Sequence, residues 1–458
     1  MTTTEPTDPT PAPTRSLAPD LSRGLMLALI AIANVSWYLW GTTESVGTSP
    51  HIPATTALDS VVQTVMTIAV DSRALPMFAF LFGYGMVQFY RSRIDRGIAP
   101  RIVRVMLRRR HWAMFLLGFL HAALLFHGDI LGAYAVGGLL LVWIFFGRST
   151  RTLVVWASVI AGLMVVGALF AILGAVMMVA FAPPEAFAQM EAGMAAGGLG
   201  MSREWAYGQP YLVGMLARIG TWLVGAVPMS LLTTPVPILL GWIAARHRLL
   251  DEPWRHVKTL RRIALGGIAI GWVGGLPAAL MYLGALPLPS SVSWAFSGLT
   301  PVTGIACGVG YAAAFALLAL RLERRTTPPE SAPPGPADTT PAAEAPRPPD
   351  DPSYGVPADP APPVAAARPG PVARALSAVG ERSLTFYLFQ SVLLAPLMAA
   401  WGFGLGGTLS TAPAVGIAFL VWLVSLPIAA WLGSTGRRGP AEALLRRMTY
   451  GKNDTLTH

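Results

Sequence analysis

Long apolar runs, each about twenty residues and enough to cross roughly 30 Å of hydrocarbon, recur along this chain between arginine-rich loops. Inside a bilayer the backbone has no water to bond, so only helices and closed barrels satisfy it. A barrel needs short segments of alternating polarity, and the runs here are continuous. The expected fold is therefore all-α, a polytopic bundle of about ten transmembrane helices. Composition agrees: 53% hydrophobic, 12% charged and a mean hydropathy of +0.54 lie outside the soluble globular range.

The net charge of +10 does not point to nucleic acid, because no basic groove or aromatic stacking platform accompanies it. The arginines instead cluster in loops. Residues 91–110 hold eight arginines and one acid, which marks a cytoplasmic loop by the positive-inside rule. Arginine in place of lysine at all but Lys258 and Lys452, with abundant Ala, Gly and Pro, fits a high-GC bacterial genome, and the expected location of the multi-pass chain is the bacterial cytoplasmic membrane. Cys307 is the only cysteine, so neither an intrachain disulfide nor a Cys-rich metal site can form.

The loop at 91–110 fixes the expected topology. Residues 1–20, rich in Thr and Pro, form a disordered tail, and spans one to eight occupy 21–320. The spans fall at about 24–43, 61–90, 111–126, 130–146, 153–181, 211–245, 263–285 and 294–320. Asp71 and Arg73 interrupt the second. The stretch 211–245 is too long for one upright helix and contains Pro228, Pro235 and Pro237; one crossing plus an interfacial or re-entrant helix keeps the basic loop 246–262 inside. Residues 321–374, Pro/Ala-rich, cannot bury enough surface to offset their ordering entropy and read as a disordered cytoplasmic linker. Spans nine and ten and a closing amphipathic segment fill 375–448, before a tail at 449–458. Both termini are then cytoplasmic.

Polar groups within or beside hydrocarbon usually mark a working site. The stretch from Arg110 to Phe146 is two apolar segments joined at His127-Gly128-Asp129, with His121 inside the first. His121 and Asp129 are candidates for catalysis, since imidazole is a base near neutral pH and a carboxylate can orient it. Eight residues apart, they would lie about 12 Å from each other on one ideal helix, and His127 competes as partner for Asp129. Asn34, deep in span one, either bonds a neighbouring helix or presents an amide to substrate. Arg73 either snorkels to headgroups or holds an anion, with Asp71 as its possible structural partner. Gln390, with Thr385 and Ser391, lines a cavity or knits helices together. No Walker loop, H-E-x-x-H, G-x-S-x-G or dinucleotide fingerprint occurs, so ATP-driven transport, zinc proteolysis and serine hydrolysis lack support, and no metal site is expected. The glycines of Tyr134-Ala-Val-Gly-Gly suit close helix packing.

These motifs together resemble the YeiB-like family of bacterial membrane proteins, a domain of unknown function. The matching pieces are Arg23-Gly24 with Asn34, Phe80-Leu81-Phe82-Gly83, Leu117-Gly118-Phe119-Leu120-His121, and Gly128-Asp129-Ile130-Leu131 with Tyr134. Leu384-Thr385 with Tyr387 and Gln390-Ser391 looks like a second signature, and Gly439-Pro440 with Glu442 and Leu444-Leu445-Arg446 a closing one; Ala443 stands where that motif usually has an aromatic. That family is distantly similar to integral-membrane acyltransferases, which carry an acyl group from cytoplasmic acyl-CoA to an acceptor across the membrane. The resemblance implies acyl-CoA as co-substrate, no permanently bound cofactor, and Asn34, Arg73, Tyr134 and Gln390 as candidates for holding donor or substrate. One acyltransferase type has a histidine where this chain has Asn34, so no catalytic role carries over to that position. The base then falls to His121, with His51 behind it. The expected function is acyl transfer to an extracytoplasmic glycan or lipid. A transporter or permease for a small solute or lipid is the alternative, because over-long or broken segments occur at transporter binding sites; an accessory protein without turnover is a third. Membrane lipid is the expected partner in each case.

Overall fold

The computed structural model of the protein describes residues 17–286, 288–325 and 370–450. The expected tails and linker fall largely outside the described residues. Most of their described edges are helical: 18–20 open the first helix, 321–325 close the helix before the linker, 371–374 open the one after it, and 449–450 close the last.

Among the described residues the fold is helical throughout. The first half comprises α1 (Ala18–Val35), α2 (Ala57–Ala69), α3 (Ala74–Ile94), α4 (Pro100–Leu124), α5 (Leu131–Phe145), α6 (Thr150–Phe181), α7 (Pro184–Gly197) and α8 (Leu199–Tyr207). The second comprises α9 (Tyr211–Thr221), α10 (Val227–Thr233), α11 (Pro235–Arg246), α12 (Val257–Tyr282), α13 (Leu299–Arg325), α14 (Pro371–Glu381), α15 (Ser383–Met398), α16 (Thr411–Ser434) and α17 (Pro440–Tyr450). Their starts follow local chemistry. Thr56 and Asp59 form a reciprocal capping box on α2, and Ser149 caps α6. Pro100, Pro184, Pro235, Pro371 and Pro440 open helices whose first N–H groups have no intrahelical partner to lose.

Among the described residues seven helical stretches are long and apolar enough to cross a membrane; α5, α11 and α15 are shorter apolar helices. The bundle's outer face agrees with a bilayer environment. Trp143, Val224, Phe181 and Phe170 are 69–84% exposed, a belt that water would not tolerate on a monomer.

The expected second span is not one helix. It breaks at 70–73, where Ser72 takes a left-handed φ of 59°, and α2 and α3 are its halves. The expected third span is the outer half of α4, which already begins at Pro100 inside the arginine loop. Over 211–246 the chain runs as α9, a π-turn at Trp222–Ala226, α10 and α11. Tyr211 bonds Leu124 O and packs on Trp401, whereas Arg246 at the other terminus bonds Phe146 O and Thr150. The stretch therefore runs once, end to end, through the bundle.

Two poles result. At one, Arg91 pairs with Asp251, Arg93 bonds Tyr450, and Glu442 caps α15 by accepting from the N–H groups of Leu384 and Thr385 at 2.8 and 3.1 Å. At the other, the 42–56 loop, the α4–α5 turn, α8 and the 399–410 turn meet. There Arg203 pins Pro50 O and Glu44 O, and Arg218 takes Ala123 O and Ala206 O at helix C-termini.

Candidate functional site

Just inside this second pole lies a cavity of about 730 Å³. Its wall comes from the end of α1, the 46–51 loop, the α2–α3 break, the α4–α5 turn, α10, and the α12–α13 connection. The lining is chiefly apolar and hydroxylated; Asp71 is its charged side chain, and no Lys or Arg among the described residues lines it.

Asp71 owes its place to the helix break, which turns its carboxylate toward the cavity. His51, carried on the loop that Arg203 anchors, meets it: Nε2 lies 2.7 Å from Asp71 Oδ2, and Nδ1 lies 3.2 Å from Ser36 Oγ. His51 is 3% and Asp71 18% exposed on the side chain, so the carboxylate is the more open partner. This is a buried His–carboxylate pair whose carboxylate is partly open to the cavity, the geometry of a general acid–base pair.

A second pair sits behind the wall. His121 Nδ1 is 2.7 Å from Asp129 Oδ2, with both side chains buried. The ideal-helix separation does not apply, because α4 ends at Leu124 and the chain turns back. Asp129 Oδ1 accepts the Gly132 N–H at 2.7 Å, the Tyr387 hydroxyl lies 3.3 Å from Oδ2, and the Trp222 indole N–H donates to Asp129 O at 3.0 Å. Gly118 and Gly132 let α4 and α5 approach there: a Cβ on Gly118 would strike the Gly132 backbone.

The remaining candidates separate. Asn34 and Tyr134 line the cavity, although the Tyr134 hydroxyl is engaged by Leu75 O at 2.9 Å. Gln390 lies outside the wall and donates to Leu27 O at 3.0 Å, knitting α15 to α1. Arg73 neither snorkels nor reaches the cavity. It is fully buried, and its guanidinium donates to the Asp71 and Gly271 carbonyls, which ties it to the helix break and to α12. His127 is not a competitor for Asp129: it lines the cavity and its Nδ1 pairs with the Tyr207 hydroxyl at 3.1 Å. Burial, reinforced by Arg218 and Arg203, pushes its pKa down to about 3, so its ring is neutral.

Sequence reasoning missed the junction of His51 with Asp71. Both residues stood in view, His51 in a polar stretch and Asp71 inside an apolar one. Their pairing across 20 positions has no local signature. Among the described residues no group of three or more His, Cys, Asp or Glu could hold a metal ion.

Fold and site together define a helical protein of the membrane class with an internal cavity. The family described as "Protein of unknown function (DUF418)" matches residues 244–331 and 364–452. The chain is 27% identical over 224 residues to "Uncharacterized protein YxaH" of Bacillus subtilis (strain 168), covering 46% of this chain and 52% of that protein. It is 33% identical over 124 residues to "Uncharacterized 39.9 kDa protein in amylase 3'region" of Bacillus acidopullulyticus, covering 27% of this chain and 32% of that one. The chain thus spans about half the length of the first relative and about a third of the second. No solved structure matches it.

Proposed function

We propose that the protein is an integral-membrane acyltransferase that moves an acyl group from acyl-CoA to a hydroxyl of an acceptor held in the cavity. The observation that carries this reading is the buried His51–Asp71 pair in the cavity wall. In the reaction the pair accepts the acceptor's hydroxyl proton through Asp71, the more open member. The freed oxygen attacks the thioester carbonyl, the carbon–sulfur bond breaks, and the CoA thiolate leaves and takes up the proton.

The arginine-rich pole suits the CoA phosphates by charge and is the cytoplasmic face of a bacterial cytoplasmic membrane in this reading. The cavity then faces the extracytoplasmic side, where a glycan or lipid acceptor enters, and both termini are cytoplasmic. His121 and Asp129 serve as positioning residues that hold the α4–α5 turn against the cavity. The test is CoA release from acetyl-CoA and longer acyl-CoAs by protein in nanodiscs. His51→Gln and Asp71→Asn should each lower it by about 100-fold or more while the protein stays folded. Wild-type rates in both variants would sink the assignment.

Transport is the second reading, favoured by one feature: the helix break at Ser72 borders the cavity, as broken helices do at transporter sites. It predicts solute flux in sealed liposomes without any acyl donor.

A further inference from the structure

Four buried polar atoms of the cavity wall have no hydrogen-bond partner among the described residues: Gln63 Oε1, His127 Nε2, Tyr282 Oη and Ser293 Oγ. Such orphans are uncommon in native interiors and call for an explanation. The state of each can be read. Gln63 Nε2 donates to Ile52 O at 2.9 Å and to Thr411 Oγ1 at 2.6 Å, so the amide orientation is fixed and Oε1 is a vacant acceptor. The Tyr207 hydroxyl accepts the His127 backbone N–H at 3.3 Å and has its own proton for Nδ1. The remaining ring proton then belongs on Nε2, a vacant donor. Tyr282 and Ser293 offer hydroxyls that donate or accept.

The residues of the wall therefore carry neutral donors and acceptors beside apolar surface that includes Trp37 and Phe126. With no Lys or Arg in the wall and Asp71 present, phosphate, sulfate and carboxylate ligands are disfavoured. An uncharged sugar ring matches: its hydroxyl edge both gives and takes hydrogen bonds, and its C–H faces rest on apolar and aromatic side chains. We infer that the cavity binds an uncharged glycosyl group, free or as the headgroup of a lipid. This rests on the reading above, in which the cavity holds the acceptor, and narrows that acceptor to a neutral sugar.

The experiment uses full-length protein in nanodiscs free of glucoside and maltoside detergents, which would themselves fill such a site. Thermal stabilisation is measured with glucose, N-acetylglucosamine and a neutral disaccharide against glucose 6-phosphate and glucuronate. A parallel arm places monoglucosyl-diacylglycerol in the nanodisc. Neutral sugars should stabilise the protein saturably and the anionic ones should not; a response confined to the glycolipid arm identifies the lipid-borne source. Tyr282→Phe and Ser293→Ala remove hydroxyls that bond nothing inside the protein, so folding should be kept while affinity falls roughly threefold to tenfold each. Binding unaffected by both variants, equal binding of anionic sugars, or no response in either arm overturns the inference. Neutral-sugar binding without CoA release would leave the inference standing and remove the acyl-transfer reading. CoA release indifferent to every neutral sugar would do the reverse.

Discussion

Asp129 shows how much a single buried side chain can be asked to hold. Its carboxylate faces His121, the Gly132 N–H and the Tyr387 hydroxyl, and it has no exposed surface. Asp129→Ala strands these groups, and each buried donor left without its acceptor costs about 1–3 kcal/mol. A large fall in melting temperature is expected, together with loss of CoA release. Asp71→Asn differs in kind. Asp71 is partly open to the cavity and an Asn there keeps an amide oxygen toward His51, so stability should fall by only about 0.5–1.5 kcal/mol while, on the acyl-transfer reading, CoA release is lost. Comparable melting losses in the two variants would contradict this division between scaffold and site. At this scale the sequence made the residue types legible, because His and Asp are costly in hydrocarbon. It did not make the partners legible: His51–Asp71 forms through a loop anchored by Arg203, and His121–Asp129 through a turn that abandons the helix.

The α2–α3 break is the element on which the cavity depends. Asp71 and Arg73 announced an interruption in an apolar run, but the left-handed Ser72 between them carries no sequence signal comparable to a glycine there. An L-residue in that conformation costs roughly 1–2 kcal/mol, so Ser72→Gly should raise stability by about 1 kcal/mol and keep the cavity. Ser72→Val should lower it by more than that, because a β-branched side chain tolerates positive φ worst. A destabilised Ser72→Gly protein would mean the Ser72 side chain itself holds the break. Close helix contacts give a sharper case. A methyl added at Gly118 would meet the Gly132 backbone, and Gly118→Ala should cost about 1–3 kcal/mol through overpacking, read as a lower melting temperature. Helix lengths were legible because the apolar runs report them directly; bends such as the π-turn at Trp222–Ala226 were not, since they answer to tertiary partners such as the Asp129 carbonyl.

Across the whole molecule, arginine partition and cavity position are one fact seen twice. The clusters at 91–110, 246–262 and 437–447 gather at the pole where Arg91 meets Asp251 and Arg93 meets Tyr450, while the cavity lies toward the other. A loop-by-loop charge count could anticipate that polarity because it needs no tertiary contacts. The cavity could not be anticipated, since its wall draws on segments from Asn34 to Pro301. The polarity predicts an orientation that one helix can test. α16 joins the poles, with Thr408 exposed just before it and Thr435 exposed just after it. Cys307 is fully buried, so an impermeant maleimide should leave the native protein unlabelled. By the positive-inside rule, Thr408→Cys should label in intact cells and Thr435→Cys only after permeabilisation. Labelling of Thr435→Cys alone in intact cells would invert the protein and put the cavity on the cytoplasmic side. Donor and acceptor would then have to meet on one face, and acyl transfer across the membrane would lose its geometry.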